Sequence, residues 1–598
     1  MNLNKFKKEL EILNKEKVLL NKKYNLLSFL RSISFLVVLA GITIIIINQD
    51  QNGFIVSGIA LLIFIFLVIK HTKLVRTRDL LFCRIELFEE YILRINGNWK
   101  TFANNGVEYL NENTTVANDL DLFGNASLYQ YLCNTNTPWG NNELANMLLN
   151  NDPNKETILE NQSALQEIVK KNKFSFNFLA HSKLFSKSNK KIDKKNTHLL
   201  LNLAENTNAS FSSLIYSLSI LLPLISLIAV IVASFQLISP VIPFSLIIFQ
   251  WIFAIVNFPK VGEILRPLSL FKTELEAYES LFHILENEGF DSECMQNLQQ
   301  ILLINGGASN AVKKLNKIID YTTFRNNAIS YGIFSGLFMW DFNCIRAFDK
   351  WKISYGSNLR KWFEAVGKTE ALLSLATIHY VKDEYCFPTI SELSNPYFKA
   401  TDIKHPLIPD SVSISNSLEL KSKTCIITGS NMSGKTTFLR TIGVNLILFN
   451  AGGLVCAKNF DSSCMAIFTS MRIQDDVSQG ISTFYAELIR IKTMVEYSKL
   501  NKPMLVLIDE IFRGTNSADR ISGARATITK LTKPWIIGIV STHDFELCNL
   551  EKEDSRNTIN YHFDEYYEND QIKFDFKIKN GKSTSTNAQF LMKLAGVI

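Results

Sequence analysis

A chain of 598 residues and 68.0 kDa is too long for one ordinary hydrophobic core, so several domains are expected. Its net charge of +7 is mildly basic, compatible with nucleic acid or anionic lipid as a partner and diagnostic of neither. The nine cysteines are scattered without a CxxC pair, which argues against a disulfide framework or a zinc site and for reduced thiols in a cytosolic compartment.

Residues 1–27 place Phe6, Leu10, Leu13, Leu20, Tyr24 and Leu27 at helical three-four spacing, interrupted by Lys17. This pattern fits a short coiled coil or, preferably, an amphipathic helix feeding a membrane span. Two uncharged stretches follow, Ser32–Asn48 and Phe54–Ile69, joined by "QDQNG". Each approaches the ~20 residues that cross a bilayer. Lys22, Lys23 and Arg31 precede them and Lys70, Lys73, Arg76 and Arg78 follow, so the positive-inside bias predicts a hairpin with both ends in the cytoplasm. A second predicted hairpin, Leu214–Phe235 and Val241–Phe258, lies between a lysine cluster spanning Lys183 to Lys195 and the group Lys260, Arg266 and Lys272. None of the four spans contains an ionisable residue, so they are expected to anchor and not to conduct. The alternative is a set of buried helices in a large soluble bundle. A further apolar run, Tyr331–Trp340, is too short to span and is expected to be buried core.

The expected organisation is therefore an N-terminal helix and hairpin over 1–78, a helical core or lever over 79–213, the second hairpin over 214–258, and more helical lever over 259–400. From residue 401 to 598 the texture changes. Short β-rich runs ("TCIITG", "MLVLIDE", "WIIGIVSTHD") alternate with helical segments, as in an α/β domain with a largely parallel sheet.

The chemistry lies in this last part. Gly429, Ser430, Asn431, Met432, Ser433, Gly434, Lys435 and Thr436 satisfy GxxxxGK[ST] between a predicted strand and a predicted helix, with Thr437 continuing the turn. Glycines let successive backbone N–H groups face phosphate oxygens, and the helix N-terminus adds a favourable dipole. Lys435 is expected to reach the β- and γ-phosphates of ATP and Thr436 to complete the shell of a Mg2+ ion. The strand "MLVLID" ends in Asp509, a second candidate Mg2+ ligand, followed by Glu510, a candidate base for the attacking water. His543 closes "IIGIVSTHD" and is the candidate sensor of the terminal phosphate, although a lone histidine there is more often structural.

"TGSNMSGKTTFLRTIG", "DDVSQGISTFYAEL", "DEIFRGTNSADR" and "STHDFEL", in this order, resemble the ATPase domain of the MutS mismatch-repair family from about His405 to the C-terminus. A weaker likeness covers Asp119–Leu149, similar to the start of that family's helical core. The resemblance implies a P-loop ATPase, a homodimer through the ATPase domains, and DNA, mismatched or structured, as ligand. It also implies that Ser482 in "GISTF" reaches the partner's γ-phosphate, with Asn516 and Asp519 lining the same interface. Ser482 fits a helix N-cap equally well. The chain departs from the family where a mismatch-reading and a connector domain usually stand, since a lysine-rich helix and a membrane hairpin occupy that space. The expectation is an integral protein of a bacterial-type plasma membrane with cytoplasmic soluble domains. The competing readings are a transport-type ATPase and a membrane-bound, ATP-dependent sensor or scaffold that binds no DNA.

Overall fold

The computed structural model describes residues 2–48, 51–111, 115–188, 194–472, 483–512, 517–568 and 571–583. The first two helices, Asn2–Asn48 and Gln51–Ile95, are 47 and 45 residues long. Neither contains a proline, and Leu, Ile, Lys and Glu fill them, so nothing stops the helix where polar sequence gives way to apolar. The polar N-terminal segment and the first apolar run therefore share one rod of roughly 70 Å, and the second helix runs unbroken through residue 78. The two lie antiparallel. Phe6 meets Phe88 and Tyr91, Lys17 lies over Phe82, Tyr24 meets His71 and Phe35 meets Phe64, so partner numbers fall as the first numbers rise. Phe6, Phe88, Tyr91, Phe176 and Tyr380 form one aromatic cluster that fastens the foot of this pair to the helices behind it.

Helices Ser213–Ser234 and Val241–Leu270 form a second adjacent pair, the latter passing through Pro259 and Pro267 without ending. Gln250, fully buried, donates to Ser226 Oγ at 3.1 Å and ties the two together. Such a polar link between apolar helices holds well where no water competes for it. These four helices are long and apolar enough to cross a membrane, and little of their most apolar stretches is buried. Ile55, Leu62, Leu227 and Val256 all point outward.

One expectation is corrected. Tyr331–Trp340 is not buried core: it falls largely in helix Ala328–Phe338, whose Ile329, Ile333, Leu337 and Phe338 are exposed. The helix lies on the flank of Val241–Leu270, outside the main core, and so has only one face to bury.

The remaining helices pack as a bundle. Pro138–Leu149 and Leu359–Leu375 make its closest pair, with Gly367 against the Trp139 backbone. Glu370, fully buried between them, accepts from Asn136 N, Thr137 N and Oγ1, and Ser182 Oγ, and burial pushes its carboxyl up to about 7.

Among the described residues the C-terminal part holds ten strands: β1 (Thr389–Ile390), β2 (Tyr397–Ile403), β3 (Asn416–Lys421), β4 (Thr424–Thr428), β5 (Asn459–Ser462), β6 (Ala466–Ser470), β7 (Met504–Asp509), β8 (Ile536–Ser541), β9 (Thr558–Glu568) and β10 (Gln571–Asn580). They form a four-stranded sheet, β1-β5-β2-β3, and a six-stranded sheet, β10-β9-β4-β8-β7-β6. In the larger sheet β9, β4, β8, β7 and β6 run parallel and β10 is antiparallel to β9. β4 and β8 are buried at every position, the near-continuous apolar pattern of strands covered on both faces. One continuous core runs from the helical bundle into this domain, through Leu120, Ile158, Leu375, Ile442 and Phe449.

Candidate functional site

Chain order reverses on either side of β4, which lies between β8 and β9, and the crevice beyond the carboxyl ends of such strands is where open α/β sheets bind ligands. β4 leads there into the loop Gly429–Gly434 and then helix Lys435–Asn450. Gly429 and Gly434 have φ of 151° and 105°, and a Cβ on Gly429 would come within 2.7 Å of the Phe563 carbonyl, so a side chain is excluded by backbone angle and by space. Met432 stands at the loop tip with φ 71° and is 85% exposed.

Lys435 is buried, and its Nζ donates to the Gly429 and Ser430 carbonyls, both at 2.8 Å. Burial lowers its pKa, while Asp509, Glu510 and Glu565 act in the opposite direction. The Thr436 hydroxyl donates to Asp509 Oδ2 at 2.6 Å, and the Ser541 hydroxyl holds the other carboxylate oxygen. This follows from register: Asp509 at the end of β7 pairs with Ser541 at the end of β8. Glu510 has φ 55°, a strained setting for a non-glycine residue, and its amide donates to the Ser541 carbonyl at 3.1 Å. His543 Nε2 lies 3.0 Å from Glu510 Oε1 and 2.8 Å from Asn431 Oδ1, between the second strand end and the loop. Lys435, Thr436, Asp509, Glu510, His543 and Asn431 thus come together from three separate sequence segments.

These groups fit a phosphate chain and its divalent cation. The buried Ser433 Oγ has no hydrogen-bond partner, the lysine ammonium is already surrounded by oxygen acceptors, and a hydroxyl and a carboxylate stand in contact. Among the described residues no group of three or more His, Cys, Asp or Glu gathers to hold a metal unaided. A Mg2+ bound through one hydroxyl, one carboxylate and phosphate oxygens needs no such group.

Several neighbours carry no motif. A cavity of about 350 Å³ opens beside the loop, with Lys435, Thr436 and Glu510 at its polar end and Ile408, Val412, Ile414 and Phe576 among its apolar walls. Asn416 fixes Phe576 by bonding the Phe576 carbonyl at 3.0 Å and the Ile578 amide at 2.8 Å. His405, also on the wall, is held down to about 4 by burial and by the charges of Lys382 and Arg440. Lys382 in turn donates to the Ile408 carbonyl at 2.8 Å, steadying the wall from the helical side. Glu487 Oε1 accepts the Phe512 amide at 2.8 Å, two residues beyond Glu510, and burial pushes its carboxyl up to about 7. Asp119 takes the Met471 and Arg472 amides, both at 3.1 Å, and pairs with Arg490 at 3.0 Å; Asp121 pairs with Arg440 at 3.1 Å and also with Arg472. These two aspartates join the helical region to the α/β domain beside the site. Ser482 and Asn516 lie outside the described residues; Asp519 begins the Ser517–Leu531 helix near Arg520, whose guanidinium grips Asp544 at 2.8 and 2.9 Å.

Residues 425–597 match the sequence profile of MutS domain V. A segment of 243 residues, 40% of the chain, is 31% identical to the DNA mismatch repair protein MutS of Persephonella marina. The match spans 27% of that relative, about a quarter of its length. That likeness lies in the domain that carries the glycine loop and the strand-end carboxylates, so this part of the chain is similar to MutS domain V.

Proposed function

We propose that this protein is a membrane-anchored ATPase of the MutS type, whose ATP binding and hydrolysis are coupled to a DNA-binding helical region. The observation that carries the ATPase reading is the convergence of Lys435 and Thr436, Asp509 and Glu510, and His543 at the carboxyl edge of one parallel sheet. Lys435 would exchange its two loop carbonyls for β- and γ-phosphate oxygens, and the amides of Ser430 to Thr437 would line the phosphates. Thr436 and Asp509 would hold Mg2+, which supplies neutralisation of phosphate charge. Glu510 would accept the proton of the attacking water, with His543 fixing the carboxylate at 3.0 Å and sensing the terminal phosphate. The apolar cavity between Ile408 and Phe576 suits the base of the nucleotide.

The four outward-facing apolar helices support anchoring as two hairpins with both termini in the cytoplasm. The homodimer, with Ser482 completing the partner's site, and the DNA ligand rest on family likeness. DNA mismatch repair, the function in the relative's name, comes to this chain on that ground alone.

Protein reconstituted in vesicles should hydrolyse ATP only with Mg2+, and should bind duplex DNA with an affinity that falls as salt rises. Hydrolysis without DNA binding would remove the DNA half of the proposal and favour a transport or scaffold role. Mixing Ser482→Ala with Lys435→Ala protomers should restore part of the activity each lacks, because one site of each heterodimer is intact. A mixture that stays inactive while heterodimers form would contradict a site shared between subunits.

A further inference from the structure

Among the described residues, nothing covers one apolar face of the helix Ala328–Phe338. Ile329, Ile333 and Leu337, spaced four residues apart, are 75%, 50% and 37% exposed, and Phe338 is 46% exposed. Its other face seats the Trp251 ring of Val241–Leu270. A Cβ on Gly336 would collide with that indole, one on Gly332 would approach it at 3.3 Å, and the indole N–H donates to the Gly332 carbonyl at 3.0 Å. Tyr331 packs edge-on to Phe258 one helix segment further along. The exposed stripe therefore adjoins the outward-facing Ile248, Ile252, Ile255 and Val256 of the long helix.

We infer that Ala328–Phe338 is immersed in the hydrocarbon of the bilayer as a short element that enters and leaves on the same side. The inference rests on the reading of Val241–Leu270 as membrane-crossing. Three further observations point to lipid as the occupant. First, the helix has 11 residues, all uncharged, too few to cross a ~30 Å hydrocarbon layer. Second, the charged residues that bound it, Arg325 and Asp341, pair with each other at 3.3 Å, so the apolar segment starts and finishes at one place. Third, several polar groups at both ends are closed internally, as irregular backbone at membrane depth requires. Asn327 Oδ1 accepts the Ile329 and Ser330 amides at 2.9 and 3.4 Å, and the Ser330 hydroxyl donates to the Phe324 carbonyl at 2.8 Å. The Trp340 indole donates to the Tyr321 carbonyl at 2.8 Å, and Asn343 donates to the Phe338 carbonyl at 3.1 Å.

Spin labels at Ile333→Cys, Leu337→Cys, Ile252→Cys and Lys317→Cys of the full chain in phosphatidylcholine vesicles test this, with the unsubstituted chain as labelling background. The ratio of oxygen to nickel-chelate collisions should be several-fold higher at 333, 337 and 252 than at the exposed, polar position 317. A high ratio at 252 with a low one at 333 and 337 would overturn the inference and leave the anchor standing. A low ratio at all positions would overturn both. Protection of 333 and 337 from both collision partners would place protein on this face instead, and dipolar broadening between labels would identify that protein as a second copy. Retained ATP binding by each variant reports that it has folded, and the two positions guard against failure of either one.

Discussion

Leu227 and Leu500 are exposed to almost the same degree, 57% and 60%, yet they belong to opposite kinds of surface. Leu500 is a single apolar residue on an α/β domain whose strands bury their apolar side chains, and scattered apolar residues of that sort are ordinary. Leu227 stands among Leu224, Ile225, Ile228 and Ile231 on a helix with no Asp, Glu, Lys, Arg or His across its span. The difference teaches that exposure alone does not identify the solvent; the continuity of the apolar face does. In the α/β domain, the polar groups of the candidate site gather at strand ends. In the long helices the outward face is uniformly apolar, with polar contacts such as Gln250 to Ser226 turned inward.

The largest effect that sharpens this contrast belongs to Glu510. Glu510→Gln should keep ATP binding while lowering the hydrolysis rate by about 10² to 10⁴, the range for removing a general base. Equal single-turnover rates for variant and wild type would take Glu510 out of that role. Next comes the surface comparison itself. Leu227→Arg should destabilise membrane insertion by about 2.5–3.5 kcal/mol, whereas Leu500→Arg should change stability by no more than about 0.5 kcal/mol. Membrane-fraction yield and thermal unfolding of the two variants, measured side by side, would break the comparison if they responded alike.

The contiguous part of the candidate site was legible because a glycine loop and carboxylates at strand ends leave short local patterns, and the fold brings those patterns together. The apolar windows were readable for the same reason of contiguity. The cavity wall was not, because Ile408 and Phe576 are far apart in sequence and meet only through the pairing of β9 with β10 and the bonds of Asn416. The Asp119 and Asp121 contacts to Arg440, Arg472 and Arg490 were hidden likewise, since charged side chains carry no sign of which distant partner they meet. Tyr331–Trp340 was misread because hydropathy gives the need for cover without saying whether protein or another medium supplies it.

The smallest effect concerns Glu487, whose pKa is raised to about 7 in the folded chain by burial. A raised carboxyl contributes stability that is full below its unfolded pKa, near 4.3, and is lost as pH climbs through 7. Glu487→Gln keeps an acceptor for the Phe512 amide without that titration. The variant should therefore gain on wild type by a few degrees in unfolding temperature as pH rises from 5 to 8. A gap independent of pH would mean that Glu487 is ionised in the fold.

The central claim is that the Gly429–Thr437 loop with Asp509 holds a nucleotide. Equilibrium binding of Mg2+–ATP to the detergent-solubilised full chain, compared with Lys435→Ala, tests it most directly. Loss of a charge-assisted contact of roughly 1.5–3 kcal/mol predicts binding weaker by about 10- to 150-fold in the variant. Equal affinity in the two proteins, or no saturable binding to the wild type, would contradict it.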